Sequence, residues 1–431
     1  MADSQATQLN TTIRKENSHV FDVLSEKGKN IFFPKLGILA QAAQAKGKAI
    51  NATIGEAIAD NGKSMYLEGF DALISVESEN VFPYTPSYGK ADLRAQWKDF
   101  IYKKNPSLQN HAISVPIATN GLTHAISMAA YLFVDPNDSV ILSDLYWENY
   151  DLIFKNACGG SITTFSLFND NAFNVQAFEQ ALVQNKSNKI IVLLNFPNNP
   201  SGYTPTITEI DAIQHCILTQ AEAGKNIVVL IDDAYFGLVY EQNIFTESIF
   251  TKLANLHERV LAVKIDGPTK EDYVWGFRVG FITYGIKNGT AALYEALEAK
   301  TAGAIRGNIS NISNMSQSLL MKIYKDTAYE SYKKRTYTTL YARYNTLKKA
   351  FQEIEPNTYF KPLPYNSGYF MCIQLHDGIE GEKVRQQLLQ VYSTGVIVFG
   401  NIIRIAFSAV PEHLIYNLVN NIVAACADVK Q

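Results

Sequence analysis

Three places in this chain gather side chains that could act on a small ligand, and each lies where an apolar run gives out. The run Ile227 to Ile231 ends in Asp232-Asp233-Ala234-Tyr235. The run Ile190 to Leu194 ends in Asn195-Phe196-Pro197-Asn198-Asn199-Pro200-Ser201-Gly202. The run from Val260 leads to Asp266-Gly267-Pro268-Thr269-Lys270, with Arg278 following. Carboxylate, phenol, amide, amine and guanidinium are the groups needed to orient an anion, move a proton and offer an amine nucleophile. An Asp after a strand is usually no more than a helix cap. The succession of such ends along one sheet carries the signal, because open α/β sheets bind ligands beyond the carboxyl ends of their strands.

Two further segments point to anions. Thr119-Asn120-Gly121-Leu122-Thr123 precedes a helical pattern, so its amides can face an anion at a helix N-terminus. Asn-Gly alone is more often just a turn. Arg404 sits among Ile402, Ile403, Ile405 and Phe407, where a guanidinium is costly to bury without a partner.

The elements that must hold these residues follow from the apolar pattern. Ser139 to Leu142, Ile190 to Leu194 and Ile227 to Ile231 are nearly all apolar, as strands buried on both faces of a mostly parallel sheet require. Val260 to Val263 and Val279 to Ile282 read the same way, and Ile207 to Gly224 reads as a helix with a glycine C-cap. This is α/β architecture. Residues 316–355 read as a solvated charged helix, followed by strands at Gly368 to Met371 and Ile402 to Phe407 and a last helix. A large domain over residues 66–325, a smaller α+β domain from 20–65 and 326–431, and an N-terminal arm over 1–19 are expected.

Composition narrows the classes. With 431 residues, 47% hydrophobic and 18% charged, the chain is too long for one core and has no disordered signature. A formal net charge of -3 gives no nucleic-acid footprint. Four dispersed cysteines without a CxxC pair, and no HExxH, argue against structural zinc or a disulfide framework and fit a reducing compartment. The polar N-terminus lacks a signal-peptide core, and no apolar stretch would span a bilayer, so a cytoplasmic protein is expected.

The segments NNPSG, DDAYFG and KEDYVWGFRVG together resemble the fold-type-I pyridoxal-phosphate (PLP) aminotransferases of the aspartate and aromatic amino-acid group. The resemblance runs in that family's order from about Gly55 to Arg404. It implies an aspartate-aminotransferase-like fold and PLP held by Lys270 as a Schiff base, with Lys270 also shuttling the substrate proton. It places Asp232, not Asp233, beside the pyridine nitrogen, and Tyr235 and Asn199 at the phenolic oxygen. Gly121, Leu122, Thr123 and Arg278 would hold the phosphate, and Trp147 would stack on the ring. The Asn199-Pro200 bond is expected to be cis. Arg404 would clamp the substrate α-carboxylate, with Gly55, Trp147 and Asn199 beside the substrate. Tyr84, with Tyr88 as the nearby alternative, would reach the neighbouring subunit's phosphate in a homodimer. Arg306 would either bind a second carboxylate across that dimer or serve structure alone.

Three positions depart from the family pattern. Gly267 stands where a phosphate-binding serine is usual, with Thr269 as a partial substitute. Tyr150 replaces a histidine that supports the pyridine aspartate, and a phenol can still donate to Asp232. Pro268 stiffens the approach to Lys270. The expected function is transfer of the α-amino group of an aromatic amino acid or aspartate to a 2-oxo acid such as 2-oxoglutarate, by a ping-pong mechanism. A lyase or decarboxylase on the same fold is the alternative; a non-catalytic regulator would need a DNA-binding extension that the short N-terminal segment does not supply.

Overall fold

The computed structural model describes residues 3–34, 37–354 and 357–430. Its centre is a seven-stranded sheet built from Ile117–Thr119 (β1), Ser139–Ser143 (β2), Ser161–Phe165 (β3), Lys189–Asn195 (β4), Asn226–Asp232 (β5), Val260–Asp266 (β6) and Gly280–Gly285 (β7). The spatial order is β1-β7-β6-β5-β4-β2-β3. All neighbours are parallel except β7, which runs antiparallel to both β1 and β6. The near-continuous apolar runs are explained by burial: every residue of β4 after Lys189 is buried. This is the mostly parallel α/β sheet that the pattern predicts.

Local chemistry sets the helices. Ala91–Lys104 (α1) and Leu122–Phe133 (α2) follow the first part of the chain. Ile207–Glu222 (α3) starts at a capping box, Thr206 with Glu209, and Gly224 two residues past its end takes the left-handed φ of +93° expected of a C-cap glycine. Pro268–Glu271 (α4) is a single turn carrying Lys270, with Pro268 at a first-turn position where its missing N–H costs nothing.

The expected helix over residues 316–355 is two helices, Asn314–Lys325 (α5) and Tyr329–Glu353 (α6). The chain turns at Asp326, whose carboxylate accepts from the amide of Ala328. The reading of this stretch as a solvated charged helix is wrong. Leu340, Tyr344, Leu347 and Phe351 form a buried stripe at helical spacing, and Arg343 on that stripe is fully buried. Charges on the outer face of α6 mask the apolar face in a composition-level reading.

A second sheet, antiparallel throughout, orders Phe360–Pro362 (β8), Phe370–Leu375 (β9), Ile402–Ala406 (β11) and Ile397–Phe399 (β10) as β8-β9-β11-β10. The segment near residue 50 joins it, since Ala406 donates to Ala52 and Ile58 donates to Ser408. Among the described residues, no helix is long and apolar enough to cross a membrane.

Candidate active site

The carboxyl ends of β4, β5 and β6 open into a cavity of about 650 Å³. Lys270, Asp232, Tyr235, Asn199, Trp147 and Arg404 line it, together with Gly55, Leu122, Thr123, Thr269 and Arg278. Residues as far apart in the chain as Gly55 and Arg404 meet there because β11 and the segment near Gly55 close over the end of the large sheet.

Asp232, the last residue of β5, is the buried acid of the site. Its Oδ2 accepts from the Tyr150 hydroxyl at 2.6 Å, and its Oδ1 from the Ala234 amide at 3.1 Å. Burial pushes this carboxyl up from its ordinary value, while the Tyr150 hydroxyl and the Lys270 amine favour the anion. Lys270 is the reciprocal case: burial lowers its amine, Asp232 opposes that, and Arg278 adds to it. An amine of lowered basicity holds more of its neutral, nucleophilic form. The ring of Tyr235 lies 5.1 Å from Lys270 Nζ. Asp233 faces away from the cavity and meets the buried Lys264, which Asp233 and Asp266 keep charged against the desolvation of burial.

Beside this pair is a cradle for an anion. Gly121 takes φ +82° and lets α2 begin at once; its own amide is used by Thr119 O at 2.9 Å. The amides of Leu122 and Thr123 have no acceptor among the described residues and are the open donors at the helix N-terminus. A Cβ on Gly121 would come within 2.5 Å of Arg278 Nη2, so the guanidinium packs directly against this turn. Gly267 is explained by packing: a Cβ there would meet Gly280 Cα at 2.8 Å and Val279 O at 2.9 Å. Thr269 Oγ1 donates to Val279 O at 3.4 Å, which directs its proton away from the cradle. Open amides with a guanidinium, a buried acid and an amine of lowered basicity form the donor set that a phosphate, a pyridine nitrogen and an aldehyde require. These residues fit PLP.

Arg404 sits across the cavity, 3% exposed. Its Nη2 donates to Thr53 O at 2.9 Å and its Nη1 to Asn199 Oδ1 at 3.3 Å, and its guanidinium carbon lies 4.4 Å from the centre of the Phe370 ring. No carboxylate forms an ion pair with it among the described residues. A buried cation without its own counter-ion is a receptor for an incoming carboxylate.

Trp147 packs edge-on against Tyr150, with ring centres 5.6 Å apart. Tyr84 and Arg306 are not brought to this cavity: Tyr84 is 90% exposed on the surface, and Arg306, in the last turn of the helix Ala291–Asn308, donates to Ser310 Oγ at 3.1 Å. The Asn199-Pro200 bond is cis, as is Phe196-Pro197. Two positioning residues had no role assigned from the sequence. Asn195 pairs in register with Asp232, accepts from the Asn199 amide and donates to the Asp232 carbonyl; its place at the end of β4, next to the acid-bearing β5, was the available signal. Phe370, under Arg404, had no signal beyond its strand.

Residues 48–422 match the sequence model of the family described as aminotransferase class I and II. A Bacillus subtilis protein described as a probable N-acetyl-LL-diaminopimelate aminotransferase is 30% identical over 47% of this chain and 48% of its own length. An aspartate aminotransferase of Sulfurisphaera tokodaii is 27% identical over 46% of this chain and 47% of its own length. The chain thus spans about half the length of these curated relatives. The crystal structure of an aminotransferase from Anaerococcus prevotii superposes with a TM-score of 0.83 at 26% identity, covering 93% of this chain and 98% of that one.

Proposed function

Because this chain belongs to the aminotransferase class I and II family, a family that uses PLP, we propose that it transfers the α-amino group of an amino acid to a 2-oxo acid in two alternating half-reactions. The observation that carries this reading is the pairing, in one cavity, of a buried amine of lowered basicity at Lys270 with the unpaired buried guanidinium of Arg404.

Bound PLP supplies an aldehyde that condenses with amines and a ring that accepts the electron pair released at the substrate α-carbon. The rest is the work of this chain. Asp232 holds a proton on the ring nitrogen, because an opposite charge favours the cationic form. The Leu122 and Thr123 amides and Arg278 bind the phosphate. Tyr235 and Asn199 orient the phenolic oxygen, and Trp147 covers the ring face. Arg404 fixes the α-carboxylate and so sets which α-carbon bond faces Lys270, whose Nζ carries the proton away.

Aromatic amino acids and aspartate are the proposed donors, with 2-oxoglutarate as acceptor. The apolar wall of Ile38, Leu39, Trp147 and Phe370 supports the first, and the aspartate aminotransferase among the relatives supports the second. Homodimerisation is part of the same proposal, with exposed Tyr84 reaching the neighbouring phosphate and Arg306 on the dimer face, as is the division into domains at 66–325 and at 20–65 with 326–431. Incubation with an amino acid and no oxo acid should convert the cofactor once, stoichiometrically, to its amino form. Sustained turnover without an acceptor would instead identify a lyase or decarboxylase. A panel of amino acids against 2-oxoglutarate then ranks the donors.

A further inference from the structure

Resting on the function proposed above, we propose a second ligand site, for an aromatic carboxylate, in a cavity that stands back to back with the catalytic one. This cavity has a volume of about 470 Å³, within the usual range of small-molecule pockets. It shares two walls with the active site. Along one segment, Ala234 and Tyr235 line the catalytic cavity, while the next residues, Phe236 to Leu238, line the second. Along the other, Thr269 and Lys270 line the catalytic cavity, Glu271 and Tyr273 the second, and Trp275 the catalytic cavity again. The two segments that carry the acid, the phenol and the reactive amine are therefore the partition between the cavities.

The second cavity has its own recognition chemistry. Phe100, Phe236, Tyr273 and Tyr329 give it aromatic walls suited to a flat ring. Lys103 and Lys334 stand exposed among the lining residues. Lys334 has no ion pair among the described residues. Lys103 pairs with Glu330 at 2.5 Å, both side chains about two-thirds exposed (63% and 64%), and such a pair exchanges its acid for a ligand's at small cost. The deeper amines are already committed: Lys104 and Lys333 both donate to Glu271 at 2.8 Å, and Lys333 also pairs with Asp272. A carboxylate thus belongs at the exposed amines with its ring directed inward. Four lysines against Glu271 and Glu330 among the described lining residues disfavour a cation.

An occupant packs on Phe236, next to Tyr235, and on Tyr273, three residues from Lys270. It restrains the partition through which Lys270 must move while its Nζ carries a proton. The expected consequence is a fall in kcat that a high concentration of amino donor does not relieve.

Calorimetric titration of the holoenzyme with indole-3-acetate tests this. Two binding events are expected, one at Arg404 and one in the second cavity. The double variant Lys103→Gln/Lys334→Gln should weaken the second event by roughly tenfold or more and spare the first; Arg404→Gln should do the reverse. At saturating donor, indole-3-acetate should lower kcat in the unaltered enzyme and not in the double variant. A single event, lost in Arg404→Gln and intact in the double variant, would overturn the site. Binding in the second cavity with kcat unchanged would overturn the coupling. The heats do not depend on turnover, so an absence of transamination would defeat the functional reading and leave the binding result standing.

Discussion

Tyr150 donates its phenolic hydrogen to Asp232 Oδ2 at 2.6 Å, and both side chains are buried. The bond holds the acid in place and favours its anion, against a desolvation that pushes its pKa up. In Tyr150→Phe that support is gone, the Asp232 carboxyl rises further, and more of it is protonated at a given pH. A hydrogen bond to a charged group contributes about 1.5–3 kcal/mol, so kcat should fall roughly tenfold or more. The acid limb of the kcat profile should move to higher pH. A profile that keeps its acid limb would show that Asp232 does not need this donor.

Among the described residues that line the catalytic cavity, Lys270 carries the one amine. Lys270→Ala should abolish the covalent cofactor absorbance and lower turnover by roughly 10²-fold or more, while Leu122, Thr123 and Arg278 still retain the cofactor noncovalently. Visible spectra of the purified variant, with and without added cofactor, check this; an unaltered spectrum with full activity would refute the assignment.

Arg404→Gln keeps a donor at the end of the side chain and removes the charge. Loss of a charge-assisted contact of about 1.5–3 kcal/mol should raise KM for the amino donor roughly 10- to 100-fold. The KM of an amino acid amide, which has no α-carboxylate, should change far less. Equal effects on both would show that Arg404 serves packing alone.

Much of this site was legible because its residues stand at strand ends. Asp232 ends β5, Asn199 and Lys270 lie a few residues past β4 and β6, and runs of buried β-branched residues mark those ends without knowledge of packing. What could not be read was how far-apart segments meet. That Arg404 rests on Phe370 and Thr53 O depends on β11 pairing with β9 and on the segment near residue 50 crossing over it. That a glycine is needed at position 267 has no local cause, since the obstruction is the backbone of the Val279-Gly280 segment. The charged surface of α6 hid its buried stripe for the same reason: a burial pattern is a property of the partner surface as well as of the helix.

Glu271 predicts a pH dependence of stability. Burial alone would raise its carboxyl, but Lys104 and Lys333 override that and pull it from 4.5 down to about 2. A carboxyl depressed on folding stabilises the native state above its unfolded pKa, and that contribution is lost as pH falls from about 4.5 towards 2. Glu271→Gln should therefore be less stable than the unaltered protein at pH 7, and the difference should shrink as the pH falls below 4. Denaturant midpoints across that range measure it; a constant difference would mean that Glu271 is not held ionised by the two lysines.

Gly267→Ser introduces the serine that the resemblance leads one to expect before Lys270, and it should not improve this protein. The glycine has an extended backbone, φ 163°, so conformational freedom is not what requires it. Space is. A Cβ would sit 2.8 Å from Gly280 Cα and 2.9 Å from Val279 O, both backbone atoms of the segment entering β7, and 3.1 Å from Leu122 at the start of α2. Neither backbone atom can yield without moving β7, whose pairing with β1 and β6 runs through Gly280 and Phe281. Overpacking of this kind costs about 1–3 kcal/mol. The variant should melt at a lower temperature and bind PLP no more tightly, because relief of the clash would move the Val279-Gly280 backbone, which directly follows Arg278 in the chain. Thermal unfolding of apo and holo forms, with cofactor affinity measured in parallel, separates the two effects. An unchanged melting temperature with tighter PLP binding would show that the serine hydroxyl finds room and that crowding is not why glycine stands here.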